Sequence, residues 1–125
     1  MRKVLVDTNV VLRYLLCDNE KQSHIAKDLI ESGEAFLLPE VLMETSHVLR
    51  TFYHVDRQNI TAQLLIVLNW VEMERKPVMI RAVEIFAETK LDFVDCILAA
   101  HHSLENAEVF TFDKKLINQL KQEEN

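Results

Sequence analysis

The sequence predicts an α/β fold in which short parallel strands are covered by helices on both faces. Three observations carry that prediction. Apolar runs of about four residues alternate with longer amphipathic stretches, the pattern of a parallel sheet wrapped by helices. The composition is 49% apolar and 27% charged, the balance of an ordinary globular protein. The chain has 125 residues, which suits one hydrophobic core, and no repeat, linker or low-complexity segment interrupts it. A single domain over residues 1–125 is expected, with a polar tail from about residue 122.

Each element follows from its residues. Lys3-Val4-Leu5-Val6 reads as a short buried strand that ends on Asp7. Asn9 to Leu16 is apolar with helical potential and breaks at Cys17-Asp18-Asn19. Glu20 to Glu31 places Ile25, Ala26, Leu29 and Ile30 at helical spacing, and Gly33 suits the helix end. Ala35 to Leu38 is a second strand, and Pro39 suits the first position of a helix running to about Tyr53. A further helix spans about Gln58 to Glu72. Pro77 to Ile80 reads as a weak third strand, followed by a helix over Ala82 to Lys90. Asp92 opens a helix to about Leu104, Glu108 to Phe112 reads as a fourth strand, and a last helix follows Asp113 to about Leu120.

Composition removes several function classes. The formal charge of −6 argues against a broad electropositive surface for nucleic acid, though not against phosphate handled through a bound cation. With Gly33 as the single glycine, neither a Walker loop nor a dinucleotide fingerprint can form. Cys17 and Cys96 lack CxxC spacing and read as reduced core thiols of a cytosolic protein. No signal peptide precedes Asp7, and the longest apolar run, Leu64 to Leu68, is too short to span a bilayer. A cytoplasmic protein without membrane partners is expected.

The chemistry lies in the acids. Asp7 and Asp113 each follow a strand directly, at the rim where ligands of open parallel sheets collect. Each also suits the N-cap of the next helix, and both readings stand. On a helical wheel, Val41, Thr45, Val48, Leu49 and Phe52 define a buried side, with Glu44 on its flank. Glu44 reads either as reaching over the sheet rim or as a solvated surface acid. Asp92 and Asp95 stand three apart at a helix start, with Asp92 the better cap and Asp95 the better site residue, because the rest of that helix is strongly apolar. Two unit charges 4 Å apart repel by roughly 4 kcal/mol at an effective dielectric near 20. Acids gathered on one rim therefore raise their pKa values or hold a cation, and oxygen donors suit Mg²⁺ or Mn²⁺ better than zinc.

These residues in this order resemble a PIN domain. The resemblance rests on Asp7-Thr8-Asn9 after the first strand, Glu44 in the helix after Pro39, Asp95 in Asp92-Phe93-Val94-Asp95-Cys96-Ile97-Leu98-Ala99-Ala100, and Thr111-Phe112-Asp113 after the last strand. It covers nearly the whole chain. It implies a three-layer α/β/α sandwich and an Mg²⁺- or Mn²⁺-dependent endoribonuclease whose acidic site is Asp7, Glu44, Asp95 and Asp113. It further implies that Asn9 and Thr111 orient those carboxylates. Small PIN domains of this kind are similar to VapC-type toxins, which dimerise and are inhibited by a cognate antitoxin. RNA would be held locally by cations such as Arg13, Arg50, Lys114 and Lys115.

Other readings are weaker. Glu44-x-x-His47 is half of a di-iron motif, but no second Glu-x-x-His occurs. His101 and His102 are adjacent on a helix and point apart. A phosphoacceptor receiver domain would want paired acids where Asp7 is followed by Thr8-Asn9, and a late Lys-Pro that is missing. A PIN fold that binds RNA or an antitoxin without turnover is the remaining alternative.

Overall fold

Strands are brief in the computed structural model, which describes residues 2–124. Seven helices and a two-stranded parallel sheet make a mostly helical α/β protein among the described residues. The chain divides into two compact units, Met1–Lys76 and Pro77–Asn125.

The first unit holds the sheet. β1 (Val4–Leu5) pairs in parallel with β2 (Ala35–Phe36), Val4 opposite Ala35 and Leu5 opposite Phe36. A single parallel bridge from Phe36 to Glu72 extends the ladder by one residue. Four helices surround it: α1 (Thr8–Leu16), α2 (Glu20–Glu31), α3 (Pro39–Thr51) and α4 (Arg57–Trp70). Asn19 and Asp56 cap α2 and α4 by accepting the N–H of Gln22 at 3.0 Å and of Asn59 at 2.8 Å. Pro39 sits at the start of α3, where its missing N–H costs nothing. α1 packs on α2 and α3, and α3 on α4. Val11, Ile30, Leu37, Leu42, Leu49, Ile60 and Leu64 are wholly buried.

The second unit is helical: α5 (Lys76–Glu88, whose first residue closes the first unit), α6 (Phe93–Glu105) and α7 (Lys114–Glu123). α6 packs on α7. Arg81 of α5 donates two hydrogen bonds to Glu123 of α7, at 3.0 and 2.8 Å. Phe86 and Phe93 meet with ring centroids 5.4 Å apart.

Several expectations are corrected. Pro77 to Ile80 is not a strand but the first turn of α5. Val78, Met79, Ala82, Val83, Ile85 and Phe86 are all buried, a helical stripe that the β-branched start disguises. Glu108 to Phe112 forms no strand ladder, and the other elements of its unit are helices with no edge to offer it. Phe52 lies one residue beyond α3 and is exposed, so the buried side of that helix is Leu42, Thr45, Ser46 and Leu49. α7 runs to Glu123, past the expected end near Leu120, while Asn125 lies outside the described residues. Cys96 is buried as expected, but Cys17 is exposed at the left-handed C-cap of α1. Cys17, His54, Arg75 and Asn106 all take positive φ, between 52° and 56°, without being glycine. No helix is long and apolar enough to cross a membrane.

Candidate metal centre

In the first unit, the turn from β1 into α1 fixes Asp7. Its extended backbone (φ −94°, ψ 176°) makes it the N-cap, and its Oδ1 accepts the Val10 N–H at 3.0 Å. The second oxygen, Oδ2, carries no protein hydrogen bond among the described residues. Thr8, the first residue of α1, is buried, and its hydroxyl donates to Glu44 Oε1 across the α1–α3 contact. Glu44 stands on the exposed side of α3, turned farther from the buried stripe than the wheel suggested, because that stripe centres on Leu42 and Leu49. Thr8 holds it in place. Asn9, the neighbour expected to orient a carboxylate, is exposed. Thr8 is thus the residue that sequence reasoning missed, although a hydroxyl at the first position of a helix after a rim aspartate was a usable signal.

In the second unit, Asp113 is the N-cap of α7 and its Oδ1 accepts the N–H groups of Lys115 at 2.8 Å and Leu116 at 3.2 Å. Its own N–H donates to Thr111 Oγ1 at 3.1 Å, a fixed turn that fits the orienting role the resemblance implies for Thr111. Asp95 is half-buried in the first turn of α6. Burial pushes its carboxyl above the ordinary range, and the charges of Asp113 and Asp92 push it the same way. Asp92 occupies the N-cap position of α6 but its side chain makes no capping bond, so the expected cap is positional only.

Each unit therefore supplies two of the four expected acids. Among the described residues, no three His, Cys, Asp or Glu side chains are grouped closely enough to hold a metal ion. Both capping aspartates spend Oδ1 on backbone N–H groups and leave Oδ2 for a further ligand, so capping and metal binding are compatible. The donor set is all carboxylate oxygen. The mutual repulsion felt at Asp95 is what a hard divalent cation would relieve, so the residues fit such an ion. Of the cations expected to hold RNA, Arg13 is committed to Asp18 at 3.0 Å, whereas Arg50, Lys114 and Lys115 are exposed.

The family model of the PIN domain matches residues 4–121. The chain belongs to the PIN-domain family. No curated protein and no solved structure matches it. PIN domains are typically metal-dependent nucleases, and the matched stretch of this PIN domain contains Asp7, Glu44, Asp95 and Asp113. His101 pairs with Glu105 at 2.8 Å, and Cys96 is buried.

Proposed function

We propose that this PIN domain is a metal-dependent endoribonuclease that hydrolyses RNA phosphodiesters, the toxin of a type II toxin–antitoxin pair. In this reading Asp7, Glu44, Asp95 and Asp113 together hold Mg²⁺ or Mn²⁺ on the three-layer frame that the family implies. The observation that carries it is the family match over residues 4–121, which contains all four acids, with Asp7 and Asp113 each fixed through Oδ1 as helix caps and Oδ2 left for a ligand; burial first, and then the charges of Asp113 and Asp92, hold the Asp95 carboxyl above its ordinary range. A divalent ion bound there supplies positive charge for the negative charge that builds on a phosphodiester during attack. The chain's own groups do the rest. The helix caps fix Asp7 and Asp113 through Oδ1, and Thr8 fixes Glu44. Lys114 and Lys115 offer charge to the RNA backbone beside Asp113. A homodimer and a cognate antitoxin belong to the same proposal.

The test is incubation of the full chain with total cellular RNA and Mn²⁺, mapping new ends against Asp7→Asn and Asp95→Asn controls. New ends that need metal and disappear in both variants are expected. Ends that persist in Asp95→Asn would remove the proposed site. A short DNA-binding protein encoded in the neighbouring reading frame is expected for the toxin role, and a neighbour of RNA-maturation type would count against it. The alternative is a PIN module that binds RNA or an antitoxin without turnover. A melting temperature indifferent to Mn²⁺ and Mg²⁺ would favour that module.

A further inference from the structure

Arg13 lies on α1, and its side chain is only 17% exposed. Charged groups are rarely buried unless paired, and Nη1 lies 3.0 Å from Asp18 Oδ1. The backbone there is tied down as well: the Arg13 carbonyl accepts the Ser23 hydroxyl of α2 at 2.8 Å and the Cys17 N–H at 3.3 Å. The other edge of the guanidinium is different. Among the described residues, Nε is buried without an acceptor, and Nη2, on the side of the Nε hydrogen, has no partner either. A buried donor left unpaired is uncommon and points to a missing acceptor. Arg13 also lines a cavity of about 240 Å³ between α1 and α2. Asn9, one helical turn earlier on α1, and Gln22 of α2 line it with exposed amides, while Val10, Ile25 and Leu29 supply apolar walls. All these residues belong to the first unit, so the cavity forms without the second. Its volume is below that of sites for drug-sized ligands, room for one flat ring system.

We propose that this cavity is a guanine pocket, in which the Nε–Nη2 edge of Arg13 donates to O6 and N7 of the base after a small shift of the side chain. Two parallel N–H donors match two acceptors on one edge of that base, the commonest specific contact of arginine with a nucleobase. Charge decides against the other ligands of such a fork. Asp18 already neutralises the guanidinium, so a phosphate or carboxylate would meet a pair with no net charge, in a protein that carries −6. A guanine edge is neutral and needs the geometry alone. Adenine turns an amino group where guanine has O6, donor against donor, and is refused. The amides of Asn9 and Gln22 offer acceptors for N1–H and the 2-amino group, and Val10, Ile25 and Leu29 cover the ring. The base belongs either to an RNA strand or to a free guanine nucleotide, since the same chemistry seats both. The pocket needs no cleavage to exist, and only its bearing on which bond is cut rests on the nuclease reading.

The experiment is a titration of the isotopically labelled full chain with guanosine in EDTA, followed by proton–nitrogen correlation NMR that includes the arginine Nε–H groups. Guanosine is expected to shift the Arg13 Nε–H and the backbone amides of Gln22 and Ile25, and adenosine at the same concentration to leave them in place. The 7-deaza analogue of guanosine lacks the N7 acceptor and should bind about tenfold more weakly. Arg13→Lys keeps a charge beside Asp18 but loses the fork, so a loss of about tenfold is expected again, with a melting temperature near that of the wild type. Should that variant unfold, the 7-deaza titration of the wild-type protein decides alone. Equal affinity for guanosine, adenosine and the 7-deaza analogue overturns the pocket. So does the absence of any shift, and so does inorganic phosphate moving the same signals. New RNA ends mapped in Mn²⁺ separate the two sources. A guanine at a fixed distance from the cut, relaxed in Arg13→Lys, assigns the pocket to the strand. Ends without that preference, with guanosine still bound, assign it to the free nucleotide. The nuclease reading fails separately, when guanosine binds but metal-dependent cleavage is absent or survives Asp95→Asn.

Discussion

Thr8 shows how one side chain ties two elements of a candidate centre together. It is buried at the start of α1, and its hydroxyl donates to Glu44 on α3. Thr8→Val keeps the shape and removes the donor, leaving the carboxylate to find water. A loss of roughly 1 kcal/mol in stability is expected, together with a smaller gain in melting temperature on adding Mn²⁺. Equal metal responses in variant and wild type would make Thr8 a structural residue only. Asp95 works in the opposite sense. Its pKa in the folded protein lies above the unfolded value, so ionising it costs stability, progressively as pH rises through that interval. Asp95→Asn should therefore melt above the wild type in EDTA at neutral pH and below it in Mn²⁺. A calorimetric scan in each condition checks the crossover. Without it, repulsion at this position plays no part in metal binding.

Among the elements, α5, α6 and α7 are held by polar contacts as well as by core. Burial alone would push Glu123 up, but the hydrogen bond and charge of Arg81 hold it below the usual carboxylate range. Glu84 and Glu88 approach the same guanidinium at 3.3 and 3.4 Å. At the C-terminal end of α6, His102 Nδ1 lies 2.8 Å from the Ala107 carbonyl, and Nε2 lies 2.9 Å from Glu124. Both partners only accept, so both nitrogens must donate, which requires the imidazolium. The Ala107 carbonyl raises its pKa most, burial opposes, and the bond and charge of Glu124 with the charge of Glu123 add to the rise. The folded value exceeds the unfolded value of about 6.5. The staple is therefore fully present below about pH 6.5 and is lost as pH rises through the raised folded value. His102→Gln should lower the melting temperature by up to about 4 °C near pH 6 and by less at alkaline pH. A gap that stays constant with pH would mean that packing, not charge, explains the difference.

Taken whole, the molecule was legible in the sequence where local rules and burial agree. The paired motif of aspartate before helix at Asp7 and Asp113 could be read directly, because capping is local chemistry. So could α2, α3, α4 and α6, whose periodicity, caps and proline all point one way. The start of α5 could not, since Val78-Met79-Ile80 suits either backbone state and only its burial pattern decides. Phe52 misled because a wheel drawn past Thr51 assigns a face to a residue that has left the helix. The pairing of Thr8 with Glu44 depends on α1 meeting α3, which no window of sequence contains. The extended segment before Asp113 reads as a strand by composition, yet a strand also needs a neighbour.

With one glycine in the chain, the left-handed corners at Cys17 and His54 fall on side chains that crowd their own carbonyls. Such a conformation costs roughly 1–2 kcal/mol at each position, only part of which glycine's extra freedom when unfolded would cancel. Replacing both, as Cys17→Gly and His54→Gly, should raise the melting temperature by about 3–6 °C. A scan in which the double variant melts no higher would show that the corners are already relaxed. If it does melt higher, this protein keeps an untapped margin of thermal resistance in its turns, open to engineering without altering one of the four acids.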